Sequence, residues 1–192
     1  MGHGAEVEMP HEENDPFVKR IAMCVAVYAV ALAIAGAGGK NAGKDMLSEQ
    51  IETSNQWSRF QAKAVREAIY INDLEKFELE KEKGGLTPEA TAKLDKSMER
   101  VKKKIDAYKT DKDEIMAEAK SHEALRATAH KKDSYFDYAE LLLQIAIVLA
   151  SVAMLAKARW AFLISVALVL VALLLTFNGY TLLIHIGFME GH

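Results

Sequence analysis

Hydrophobic and polar positions are segregated along this 192-residue chain in long blocks. Three runs carry no Asp, Glu, Lys or Arg: Ile21 to Gly39, Leu141 to Ala156 and Trp160 to Phe188. The stretch 40–134 is crowded with charge. A helix rises about 1.5 Å per residue, so about 20 apolar residues cross a hydrocarbon core of about 30 Å, where a charge is expensive. The pattern predicts an all-α membrane protein. Transmembrane helices are expected at 17–39, 135–156 and 160–187, with a charged helical insert at 40–134. Residues 1–16, polar with Pro10 and Pro16, predict a disordered acidic tail.

The insert reads as a helical hairpin. Glu, Lys, Gln, Ala and Leu dominate Asp45 to Lys83. Gly84-Gly85-Leu86-Thr87-Pro88 then supplies a stop and a restart, with Thr87 as cap and Pro88 in the next first turn. Leu94, Met98, Val101, Ile105 and Tyr108 are spaced 4, 3, 4, 3, a coiled-coil-like seam that Lys112 interrupts. Two antiparallel helices counted back from the turn place Trp57 opposite Ile115 and Met116, and Ile71 opposite Val101. A two-helix hairpin buries little by itself, so self-association is expected. Four glycines between Gly36 and Gly43 predict a break where the first helix leaves the membrane. Ala22, Ala26, Ala29, Ala33 and Ala37 share a face, which is expected to pack against another helix of this chain or a neighbouring subunit.

Charge refines this picture. The insert holds twenty basic and nineteen acidic residues, a balance of +1, which argues against a nucleic-acid surface. The tail before the first apolar run is acidic, unlike a secretory signal. Lys19, Arg20, Lys157 and Arg159 fall on one side of a three-span topology and favour a cytoplasmic N-terminus with the insert outside. Cys24 stands alone, so no disulfide forms within the chain.

Candidate chemistry is sparse. Gly38 to Lys44 matches G-x-x-x-x-G-K, but Asp45 replaces the hydroxyl residue a phosphate loop needs, and no strand precedes it. No catalytic or metal-ligand spacing stands out, so no enzyme, cofactor or metal is expected. Asp133, Asp137, Glu140 and Gln144 line one helix face at a membrane edge, and Asn178, Thr181 and His185 line another. The two stripes are expected to meet, with Glu140 near Thr176 and Asp137 near Gly179. Asp137, Glu140, Gln144, Asn178 and His185 form the candidate polar cluster, since ionisable groups in spans often handle ions or protons. Gln56, Trp57, Phe60, Gln61 and Lys63 form a second candidate, a patch for packing the insert or for a protein partner.

The order of one span, the Gln56-Trp57…Gln61-Ala62-Lys63 segment, a charged insert and two closing spans resembles a family of uncharacterised bacterial inner-membrane proteins, a domain of unknown function. The likeness covers about residues 15–185. It implies bacterial origin and inner-membrane location, and no activity. The expected function is that of an oligomeric membrane protein with a helical stalk for self-association or partner recruitment. The alternative is a small ion or proton channel or transporter subunit using the polar stripe.

Overall fold

The computed structural model describes residues 15–184 and residue 187. The tail predicted over 1–16 therefore lies outside the described residues up to position 14, and so does His185. Among the described residues all regular structure is helical: α1 (Pro16–Lys83), α2 (Pro88–Leu155) and α3 (Arg159–Thr181). Each helix contains a window long and apolar enough to cross a membrane. The chain divides into two compact units, Met1–Lys44 with Ala129–His192, and Asp45–Thr128.

In the first unit three helical segments pack through small residues. Ala139, Ala146, Ala150 and Ala153 of α2 are fully buried, with Leu143 among them. Ile21, Tyr28, Ala31 and Ala35 face them from α1, and Ala161, Ser165, Val169 and Ala172 from α3. Alanine lets helix backbones approach closely, the main source of contact between helices in an apolar medium. The alanine face expected on α1 is not this one. Ala22, Ala26, Ala29, Ala33 and Ala37 are all exposed, so that stripe does not pack against the chain's own helices.

The glycine run does not break α1, which passes through it unbroken for 68 residues. A helical glycine costs about 1 kcal/mol relative to Ala, so something must offset the loss. Phe136 does so. A Cβ on Gly38 would lie 2.5 Å from its ring, one on Gly179 of α3 3.0 Å, and one on Gly39 3.3 Å from its Cβ. The ring is 2% exposed and meets Tyr180 edge-on at 4.9 Å. Glycines that look like breakers along the chain are a socket across it.

The third helix is shorter than its apolar run. It stops at Thr181, where Leu182 takes a left-handed conformation with φ 50° and donates its N–H to Asn178 O at 2.7 Å. The cause is Asn178, whose side chain captures both backbone groups of Ile184, at 2.8 Å each. Tyr135 adds its hydroxyl to Ile184 O at 2.9 Å. An asparagine amide competes with helical bonding in this way.

In the second unit α1 and α2 run antiparallel through a turn at Gly84 and Gly85, with φ 69° and 82°, a region glycine enters without strain. Thr87 Oγ1 accepts the Ala90 N–H at 3.3 Å and caps α2. The seam of α2 does not stop at Tyr108. Lys112, Ile115, Ala119 and His122 continue the 4, 3, 4, 3 spacing and are all buried or half-buried. Lys112 is tolerated because its ammonium pairs with Glu67, whose side chain is 9% exposed, and lies 5.7 Å from the Phe60 ring centre. The register also differs from the count made from the turn. The Trp57 indole donates to Glu123 at 2.9 Å, roughly two turns beyond Ile115. The Tyr70–Tyr108 stack at 5.7 Å and the Glu67–Lys112 pair hold α2 in that register.

Candidate functional site

The acidic stripe of α2 lies beside its buried face. Phe136, Ala139 and Leu143 point inward, so residues one position off them fall on the rim. Asp133 and Glu140 are half-buried, while Asp137 and Gln144 are exposed. The two half-buried carboxylates lie against glycines of α1. A Cβ on Gly43 would sit 3.6 Å from Asp133 Oδ1, and one on Gly36 3.4 Å from Glu140 Oε1. Burial raises the Asp133 carboxyl above its ordinary value of 3.8, the neighbouring Asp137 charge adds to this, and His130 opposes it. Among the described residues no hydrogen bond or ion pair reaches Glu140, and no cluster of metal-ligating groups forms.

Among the described residues no hydrogen bond or ion pair joins the two polar stripes. Gly179 meets the ring of Phe136, one residue from the Asp137 counted opposite it. Thr176 is buried and donates its hydroxyl to Ala172 O of its own helix at 2.9 Å. Asn178 is 5% exposed with its amide spent on Ile184. His185 lies outside the described residues. Of the candidate cluster, then, Asp137, Glu140 and Gln144 share a rim of α2, and Asn178 serves the end of α3.

The Trp57 segment turns largely inward within the hairpin. Gln56 is 4% exposed, donates to Glu52 at 3.2 Å and accepts from Arg59 at 2.8 Å. Trp57 and Phe60 meet edge-on at 5.5 Å. Lys63 pairs with Asp111 and lies 5.1 Å from the Tyr108 ring centre. Gln61 alone of the five is exposed outward. Heptad spacing explains the set: Thr53, Gln56, Phe60, Lys63, Glu67 and Tyr70 are spaced 3, 4, 3, 4, 3 and face α2.

Sequence reasoning missed three features that organise these regions. The Phe136 socket was signalled only by glycines on two separate helices. The Glu67–Lys112 pair was signalled by Lys112 falling four residues after Tyr108. The third is a face of α1 within the hairpin that nothing among the described residues covers. Leu47, Ile51, Val65 and Ile69 are 52% to 61% exposed, and Ser54, Ser58 and Ala62 lie between them.

A family model described as "Domain of unknown function (DUF4337)" matches residues 17–182. No curated protein and no solved structure matches the chain.

Proposed function

Because the chain belongs to the DUF4337 family, a domain of unknown function, we propose a role that rests on its surfaces rather than on inherited chemistry. It is a non-enzymatic, multi-pass protein of a bacterial inner membrane, N-terminus inside, that self-associates through its helical hairpin. The observation that carries this reading is the uncovered face Leu47, Ile51, Ser54, Ser58, Ala62, Val65 and Ile69. Over 47–72 only Arg59 and Arg66 are both charged and exposed, whereas α2 exposes nine charges over 99–114. A solvated helix face is normally charged.

The occupant is a second copy of the same face. Copies inserted in one membrane share an orientation, so two α1 helices meet in parallel. In a two-fold pair each position meets itself, and any charge on the seam would face its like. The stripe carries none. The exposed alanines Ala22, Ala26, Ala29, Ala33 and Ala37 offer a separate close-packing face in the apolar segment. Light scattering on the detergent-solubilised protein tests this. Wild type is expected as a dimer or larger, and Ile51→Lys/Val65→Lys as a monomer with unchanged helix content. A monomeric wild type contradicts it.

A second reading, an ion or proton path through an assembly, has one specific support. Glu140 is half-buried beside Gly36 without a partner among the described residues. Proton flux into liposomes that persists unchanged in Glu140→Gln would remove it.

A further inference from the structure

At the end of the first unit where α1 and α3 both begin, Arg20 and Arg159 line one open groove of about 590 Å³. Phe17, Phe162 and Leu163 form its apolar walls. We propose that this groove binds the phosphate of an anionic phospholipid, with the two guanidiniums on the phosphate oxygens and an acyl chain along Phe162 and Leu163. The inference rests on the membrane-spanning reading given above.

Three observations support it. First, both cations are available. Among the described residues neither Arg20 nor Arg159 pairs with a carboxylate. Arg159 stands 6.0 Å from the Phe17 ring centre, a cation–π contact that takes up none of its N–H donors in a hydrogen bond. Secondly, the acid in the groove is already engaged. Asp15 accepts the Phe17 N–H at 2.9 Å, capping α1, and lies 4.0 Å from Lys157. Thirdly, the first turn of α3 has no side-chain cap, since Ala158 at the N-cap offers none. Its free amides add positive potential beside Arg159.

The walls choose the source of the phosphate. Phe17 and Phe162 meet edge-on at 6.1 Å, and Leu163 is 68% exposed. A free phosphate has no use for such surface, whereas a lipid places its headgroup on the arginines and its chain on the aromatics. Guanidiniums suit this role because they bind phosphate oxygens in a bidentate fork. Basic pockets between spanning helices are a common form of headgroup site.

Native mass spectrometry of the full chain in non-ionic detergent tests the site, with phosphatidylglycerol, phosphatidylcholine or inorganic phosphate added. Wild type is expected to retain phosphatidylglycerol over phosphatidylcholine. Arg20→Gln/Arg159→Gln is expected to lose that preference about tenfold, as the loss of charge-assisted bonds to one phosphate implies. Lys40→Gln/Lys44→Gln, which removes as much charge elsewhere, is expected to keep it, and Arg20→Lys/Arg159→Lys to keep part. Equal retention of the two lipids overturns the proposal, as does an equal loss in both Gln pairs. Retention of inorganic phosphate that lipid does not displace overturns the lipid source. Extraction of the chain from membranes by alkaline carbonate overturns the membrane reading itself, whereas a chain that resists carbonate but shows no lipid preference overturns only the site.

Discussion

Replacing Gly38 by alanine sets two physical effects of opposite sign against each other. In a helix that touches nothing, Gly→Ala stabilises by about 1 kcal/mol, because alanine loses less backbone entropy on folding. At Gly38 the new methyl would lie 2.5, 2.6 and 2.9 Å from three ring carbons of Phe136. Carbon atoms settle at about 3.5–4.0 Å, so the ring must retreat by about 1 Å. It has nowhere to go, being 2% exposed, close to Gly179 and edge-on to Tyr180. Overpacking of this kind costs about 1–3 kcal/mol and outweighs the propensity gain. Gly38→Ala is therefore expected to destabilise by about 1–2 kcal/mol net. Gly36→Ala, two residues away, is expected to stabilise by up to about 1 kcal/mol. Its methyl first meets the end of the flexible Glu140 side chain, at an ordinary contact distance of 3.4 Å. Phe136→Leu in the Gly38→Ala background is expected to recover part of the loss, a coupling that a double-mutant cycle measures. Denaturant titration in mild detergent followed by far-UV circular dichroism reads wild type and all four variants, Phe136→Leu alone completing the cycle. If Gly38→Ala shifts the midpoint upward as far as Gly36→Ala does, the socket is not what holds these helices together.

Three further outcomes follow from the same contacts. Glu67→Ala strands the Lys112 ammonium in the hairpin seam and is expected to destabilise by about 3 kcal/mol, while Glu67→Leu/Lys112→Leu is expected to be neutral or stabilising; hairpin unfolding by thermal circular dichroism separates the two. The fold disfavours the ionised Asp133 carboxyl, so its contribution is fully present below the ordinary value of 3.8 and is lost as pH rises through the raised value. Asp133→Asn should accordingly raise the unfolding midpoint at pH 7 and leave it unchanged well below pH 3.8, and an equal shift at both pH values would contradict this. Asn178→Ala removes both bonds to Ile184 and is expected to cost about 1–3 kcal/mol locally, read as faster amide exchange at Ile184 with α1 unaffected.

The helical class, the three apolar helices and the family were legible in the chain because charge-free runs and helical spacing are local signals. What escaped it depends on what lies across a helix. Gly36 to Gly43 have the composition of a break, and side chains of α2, Phe136 on Gly38 and Gly39 above all, turn them into a packing surface. Two stripes of α1 are rich in small residues, one through Ala22 and Ala33, the other through Ala31 and Ala35. Spacing alone gives no reason to bury the second and expose the first. Lys112 looks like an interruption until Glu67 stands opposite. Asn178 has the side chain of a pore-lining residue, but the chain turns back at Leu182 and gives its amide a backbone partner instead. The register of α2 against α3 was close to the count, since Gly179 meets Phe136 beside Asp137, but helix phase said nothing of the chain end.

Cysteine cross-linking along α1 of the hairpin, in a Cys24→Ala background and in native membranes, tests self-association most directly. Single cysteines at Ile51, Ser54, Ser58, Ala62 and Val65 are predicted to give disulfide-linked dimers, with yields peaking at that spacing. Cysteines at Thr53, Gln56 and Phe60, which face α2, are predicted to give almost none. Uniformly low yields, or a peak on the charged outer face of α2, would contradict the account.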